Sequence, residues 1–236
     1  MWYYWRMNRN VLKIIALVTM IIDHIGCYLL DNNIVFRTIG RLAFPIFAFF
    51  IAEGMKYTRN RKKYVLLLFI FACVSQIPYQ LLHESFKFNI LFTFLISIIL
   101  IILFEKLLNK NKNISPIKSI LLILLIAFIF VACMICDLFY IIDYSIFGVL
   151  MVVCFYFFKT PTKYICAIVL ICLMVVKNVI ISGFSYITTY QMISAVSIIF
   201  MLLYNNKKGR LNLKYLFYVA YPLHLLIIWC IKIMFL

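Results

Sequence analysis

The chain has 236 residues, 67% of them hydrophobic and 13% charged, with a mean hydropathy of +1.09 and a formal net charge of +16. A soluble domain is about half apolar and a quarter charged, so this balance excludes a soluble globular protein and indicates a polytopic membrane protein. The positive excess falls in alternate connections between apolar runs, so it reads as a topology signal and not as a nucleic-acid footprint.

A hydrocarbon core about 30 Å thick takes about 20 apolar residues in helix. Nine segments qualify, at roughly 11–30, 38–55, 64–82, 89–108, 119–136, 141–158, 164–182, 190–204 and 215–236. They predict an all-α polytopic membrane helix bundle of about nine transmembrane helices, a single integral membrane domain over residues 1–236. The first run is long enough to span and lacks a small-residue cleavage pattern, so a retained first helix is expected. Eighteen of the 23 basic residues lie in five zones. These are Arg6, Arg9 and Lys13; then Lys56, Arg59, Arg61, Lys62 and Lys63; then Lys106, Lys110, Lys112 and Lys118; then Lys159 and Lys163; then Lys207, Lys208, Arg210 and Lys214. The zones are the N-terminus and every second loop, which the positive-inside rule places in the cytoplasm. The expected setting is a bacterial inner (cytoplasmic) membrane, with the N-terminus inside and the C-terminus outside.

Polar residues inside the spans come next, in chain order. A charged group at a helix centre costs about 2.5–3.5 kcal/mol on insertion scales, so each is a functional candidate. Asp23 and His24 sit side by side in the first run, with His24 about 9 Å below its outer end at 1.5 Å per residue. Arg41 enters the second run from outside at similar depth, and Arg37 lies one turn earlier on the same face. Gln76 and Pro78 fall in the outer half of the third run, Asn89 and Thr93 open the fourth, and Asp143 opens the sixth. His224 lies near the middle of the ninth. These groups gather in one layer between midplane and outer face. Glu53 breaks the pattern: it lies about 18 Å along the helix from Arg41, where it and Lys56 line a cytoplasmic mouth.

Blander roles stand beside these. Arg41 pairs with Asp23 to lock two helices, or the two act in chemistry. His24 is interhelical glue, or a general base whose tautomer Asp23 fixes. His224 is a satisfied interhelical hydrogen bonder, or a second base. Asp143 is a helix N-cap, or part of a site. Lys177 snorkels outward, Glu105 and Asp137 are interfacial, and His83 and Glu84 are solvated in a short outer loop. All eight cysteines lie in apolar runs, which argues against a disulfide framework; Cys133 and Cys136 form a CxxC, but inside an apolar helix.

Six stretches carry a resemblance: "LKIIALVTMIIDHIG", "RTIGRLAFPIFAFFIAEGMKYTRNRKKYVLLLFIFACVSQIPYQLL", "FNILFTF", "IDYSIFGVL", "YNNKKG" and "LFYVAYPLHL". In this order, from about residue 12 to 228, they resemble the TraX family of integral membrane proteins. The resemblance implies an acetyltransferase. The family's named member acetylates the N-terminal amine of conjugative pilin, and related membrane acyltransferases use an intramembrane histidine. Carried over, the positions are Asp23, His24, Arg41, Glu53, Gln76, Pro78, Asn89, Thr93, Asp143, Tyr221 and His224.

The expected reaction moves acetyl from acetyl-CoA to a peptide amine or a surface-polymer hydroxyl. Acetyl-CoA is the co-substrate, and no metal is expected. Its phosphates would meet Lys56, Arg59, Arg61 and Lys62 beside Glu53. The acceptor would meet Arg37, Gln76, Asn89, Thr93, Asp143 and Tyr221, with His24, Asp23, Arg41 and His224 in the chemistry. Arg41, Asn89 or Gln76 would steady the oxyanion. The alternative is a small-solute or proton-coupled transporter that uses the same polar layer.

Overall fold

A computed structural model describes residues 6–83, 85–109, 115–139, 141–183, 190–209 and 214–235. The described elements are all helical: α1 (Arg9–Tyr28), α2 (Ile34–Gly40), α3 (Ala43–Tyr57), α4 (Arg61–Leu81), α5 (Ile90–Leu108), α6 (Pro116–Leu138), α7 (Ser145–Phe157), α8 (Thr162–Ser182), a 3₁₀ helix (Tyr190–Val196), α9 (Ser197–Leu202) and α10 (Lys214–Phe235). Among them, seven stretches are long and apolar enough to cross a membrane, and two apolar helices are shorter. The fold is that of a multi-pass membrane protein, and its apolar segments match the nine expected ones. Glu84, Lys110, Lys112 and Arg210 lie outside the described residues.

The helix starts follow local chemistry. Side-chain oxygens of Asn8, Asn33, Asn60, Asn89 and Ser115 accept backbone N–H groups in the first turns of α1, α2, α4, α5 and α6. Such caps satisfy donors that have no partner within the helix. Three expected boundaries change. The second span is broken after Gly40, so α2 and α3 share it with Arg41 at the break. The sixth begins only at Ser145, because Tyr144 adopts a left-handed conformation (φ +58°). That leaves α7 with 13 residues, about 20 Å of helix. The eighth opens as a 3₁₀ helix.

The core lies among α3, α5 and α7, flanked by α1, α4 and α8. Ala16, Ala48, Ala52, Ala72 and Ala167 are fully or almost fully buried in it, and small side chains let membrane helices approach closely. Glycine is required where α1 meets α2: a Cβ on Gly40 would collide with the Asp23 side chain. By contrast, α6 is largely exposed, with Ile117, Ile120, Leu124, Phe128 and Val131 facing outward, as lipid contact demands. Lys177 does not snorkel. Its Nζ lies 2.7 and 2.8 Å from the two carboxylate oxygens of Asp137, which ties α8 to α6. Asp137 is therefore an interhelical partner as well as a residue near a helix end.

Candidate functional site

Two cavities occupy the bundle. The inner one, about 620 Å³, is bounded at one end by Arg9, Asn10, Lys13, Glu53, Arg59, Asn60, Lys63 and Lys208, and along its length by apolar residues such as Phe50, Leu68 and Leu91. The outer one, about 540 Å³, is lined by Asp23, His24, Tyr28, Arg37, Arg41, Tyr79, His83, Lys87, Asp143, Tyr144 and Lys232, among others. Met20, Phe47, Ile90, Phe94 and Tyr221 line both. The cavities thus stand back to back at a waist of five mainly apolar side chains.

In the outer chamber Asp23 is held by two guanidinium groups. Arg41 Nη2 lies 2.6 Å from both carboxylate oxygens, and Arg37 Nη1 lies 2.8 Å from Oδ2. Arg41 Nε also donates to the Arg37 carbonyl at 3.2 Å and Nη1 to Gln191 Oε1 at 3.3 Å, and its guanidinium carbon lies 5.7 and 5.3 Å from the ring centres of Tyr144 and Tyr190. Such a pair is stable only when its remaining hydrogen-bonding capacity is satisfied, as it largely is here. Arg37 spends one nitrogen on Asp23 and lines the chamber, its other side-chain donors having no partner among the described residues.

The expectation that Asp23 orients His24 is corrected, because both oxygens of Asp23 are occupied by arginine. The partner of His24 is His224. Nδ1 of His24 lies 2.6 Å from Nε2 of His224, and the rings meet edge to edge, nearly parallel (8°), with centroids 4.9 Å apart. Nδ1 of His224 lies 2.7 Å from the carbonyl oxygen of Ala220. A carbonyl only accepts, so His224 carries its proton on Nδ1 and presents a lone pair at Nε2. With both rings neutral, His24 must then donate from Nδ1. This network assigns the tautomer and leaves Nε2 of His24 as an unprotonated nitrogen with no hydrogen-bond partner among the described residues, on a side chain that lines the chamber. Tyr221, one turn before His224, packs on both imidazoles.

Other expected residues are placed differently. Gln76 and Asn89 bond to each other, to the Ala72 carbonyl and to the Lys87 carbonyl. The Thr93 hydroxyl donates to the backbone carbonyl of Asp143 at 2.9 Å. Gln76, Asn89 and Thr93 line neither cavity; their polar atoms are spent on the scaffold, which leaves Arg37 better placed than Gln76 or Asn89 to steady an oxyanion. Pro78 lies inside α4 and is buried beside Tyr79. Asp143 is not the N-cap of α7, which is Tyr144; its Oδ2 accepts the Tyr79 hydroxyl at 2.7 Å. His83 is partly buried, not simply solvated. Its Nδ1 donates to the Tyr79 carbonyl at 3.0 Å and its Nε2 lies 3.1 Å from the Tyr28 hydroxyl. Burial lowers its pKa.

Of the residues expected at the inner mouth, Glu53 and Arg59 line the cavity, whereas Lys56, Arg61 and Lys62 do not. Arg61 turns to Glu105 (2.5 Å) and Tyr156 (2.9 Å). Successive helical residues point about 100° apart, so Lys63 faces the cavity where Lys62 cannot. Sequence reasoning did not single out Arg9, Lys13 and Lys208 for this mouth. Lys13 sits over the rings of Phe50 and Phe217 at 5.1 and 5.2 Å, and Arg9 reaches Glu53 at 3.9 Å. The arm that brings Lys208 inward is visible in backbone bonds from Arg9 to Lys207 and from Met7 to Leu203 and Asn205. Among the described residues no group of three or more His, Cys, Asp or Glu could hold a metal ion.

The family model described as TraX protein matches residues 8–232. A "Probable fimbrial assembly protein FimC, serogroup H1" from Dichelobacter nodosus is 26% identical over 255 residues, covering 96% of this chain and 98% of that protein. An uncharacterized protein of Rickettsia prowazekii (strain Madrid E) is 33% identical over 78 residues, covering 33% of this chain and 29% of that one. No solved structure matches.

Proposed function

The chain belongs to the TraX family, and from that premise we propose that it is a membrane-embedded acetyltransferase, which moves an acetyl group from acetyl-CoA to an acceptor amine or hydroxyl. The observation that carries this reading is the free Nε2 of His24, in a chamber that backs onto a cavity with a cationic mouth. The inner cavity suits the donor chemically: Arg9, Arg59, Lys63 and Lys208 match phosphates, and the apolar walls match a neutral pantetheine arm. The positive-inside rule supports a cytoplasmic position for that mouth.

In this reading His24 Nε2 takes the proton of the attacking nucleophile. The Nδ1–H of His24 stays bonded to His224, whose orientation the Ala220 carbonyl fixes. The imidazolium that forms is then held in place, as a second hydrogen-bonded group holds the base in other acyl-transfer sites. Spare N–H groups of Arg37 suit the charge that develops on the carbonyl oxygen. The fimbrial assembly name of the D. nodosus relative favours a pilin or another surface peptide as acceptor. Membranes containing the wild type or His24→Ala, supplied with labelled acetyl-CoA, test this. The reading expects acetylation with the first and not the second; equal acetylation rejects it.

Cavities placed back to back also favour a second reading, solute or proton transport through the waist. Substrate-dependent flux in proteoliposomes lacking acetyl-CoA would select it.

A further inference from the structure

The carboxylates of the described bundle are unequally partnered. Asp23 has Arg37 and Arg41, Glu53 has Arg9, Glu105 has Arg61, and Asp137 has Lys177. Asp143 lines the outer chamber with no ion pair among the described residues; Lys87 and Arg41, which share the chamber, act on it only from beyond ion-pair distance, and His83 faces it as well. The Tyr79 hydroxyl occupies Oδ2, and Thr93 fixes the backbone through the Asp143 carbonyl. Oδ1 has no hydrogen-bond partner among the described residues, and the residue lines the chamber. A carboxylate drawn out of water without a cation is unfavourable, and a rigidly mounted one is a seat for a cation brought by a ligand.

Proton accounting says what that cation does. An alcohol loses one proton on acylation, and the departing thiolate takes it. A primary amine arrives as R–NH₃⁺ and leaves as an amide N–H, so it loses two. The first must go before attack, because an ammonium has no lone pair. His24 offers one basic nitrogen, which serves one of the two protons. Resting on the acyl-transfer reading, we propose that Asp143 seats a protonated amine acceptor in the outer chamber and takes its first proton. The ammonium N–H bond breaks and an O–H bond forms on Asp143. The amine attacks the thioester carbonyl. His24 Nε2 removes the second proton and passes it to the leaving thiolate, and Asp143 returns its proton to water at the outer mouth. Asp143 lies in the loop before α7, and burial raises its pKa, which favours proton uptake.

The test compares two isosteric acceptors on the full-length protein: alanyl-alanyl-phenylalanine amide and lactoyl-alanyl-phenylalanine amide, which carries a hydroxyl in place of the amine. Asp143→Asn lowers acetyl transfer to the alanyl peptide about 100-fold more than transfer to the lactoyl peptide, the low end of general-base effects. His24→Ala loses both. An equal fall for both peptides with Asp143→Asn, or no fall for either, overturns the assignment. A second measurement is independent of turnover. A carbodiimide couples the alanyl peptide amine to carboxylates, and mass spectrometry reads the sites. Coupling at Asp143 above that at the exposed Asp31 supports the seat; coupling at Asp31 without Asp143 overturns it. If wild type acetylates neither peptide, acetyl transfer to these acceptors fails, while the coupling result still decides the ammonium seat.

Discussion

The two cavities both collect cations but use them in opposite ways. In the outer chamber Arg37 and Arg41 close on Asp23 at 2.8 and 2.6 Å. In the inner cavity Arg9 meets Glu53 only at 3.9 Å, and Arg59, Lys63 and Lys208 line the mouth with no ion pair among the described residues. The first arrangement fixes geometry; the second makes a field for an anionic guest. Changes to the outer chamber should therefore act on turnover and folding, with little salt dependence. Changes to the inner mouth should act on donor affinity and fade as salt rises, because exposed charges are screened beyond about 8–10 Å at physiological ionic strength.

The largest effect is expected at the imidazole pair. His24→Ala lowers kcat for acetyl transfer by about 10³-fold, within the range for loss of a general base, measured with labelled acetyl-CoA. His224→Ala removes the acceptor of the His24 Nδ1 proton and lowers kcat by about 10-fold to 100-fold, as loss of an orienting partner does. His224→Gln restores part of the activity, since its side-chain oxygen can accept that proton. Next comes the clamp. Arg41→Ala strands Asp23 with one guanidinium, and breaking a buried pair this way costs about 3–5 kcal/mol, read as a lower unfolding temperature in detergent. Pairing Asp23→Asn with Arg41→Gln recovers part of that loss.

At the inner mouth, replacing Arg59, Lys63 and Lys208 with glutamine raises KM for acetyl-CoA about 10-fold at low salt with kcat unchanged, and the difference shrinks in 0.5 M salt, where the screening length falls to about 4 Å. An equal effect from Lys56→Gln with Lys62→Gln, which do not line the cavity, would erase the contrast between facing and outward lysines. The smallest effect is expected at His83. Burial lowers its pKa, so the folded state favours the neutral ring. That stability is complete above the ordinary histidine value near 6.5 and is lost as pH falls below it. The unfolding temperature at pH 5.5 relative to pH 7.5 should drop less in His83→Gln than in wild type.

The sequence discloses the spans because hydropathy is local; the caps Asn8, Asn33 and Asn60 start their helices at 9, 34 and 61, ahead of the expected 11, 38 and 64, because a cap is set by a side-chain hydrogen bond and not by hydropathy. The pairing of Asp23 with Arg41 was legible from depth alone. What was not legible depends on rotation and on distance along the chain. Lys62 and Lys63 look alike in sequence, but only the second faces the cavity. Gln76, Asn89 and Thr93 lie at the right depth, yet the scaffold consumes their polar atoms. His24 and His224 are 200 residues apart, so nothing local says that the second histidine, and not the neighbouring aspartate, sets the tautomer of the first. The arrival of Arg9 and Lys208 at one mouth depends on the backbone bonds between the N-terminal arm and the segment after α9.

The most direct test of the central claim is one of sidedness. The protein is reconstituted in vesicles, with labelled acetyl-CoA supplied at the Arg59–Lys63 face and a primary-amine peptide supplied at the opposite face alone. The account predicts that label reaches the peptide across the sealed membrane with wild type and not with His24→Ala. Label that appears only when donor and acceptor share one face, or that crosses equally with His24→Ala, would contradict it.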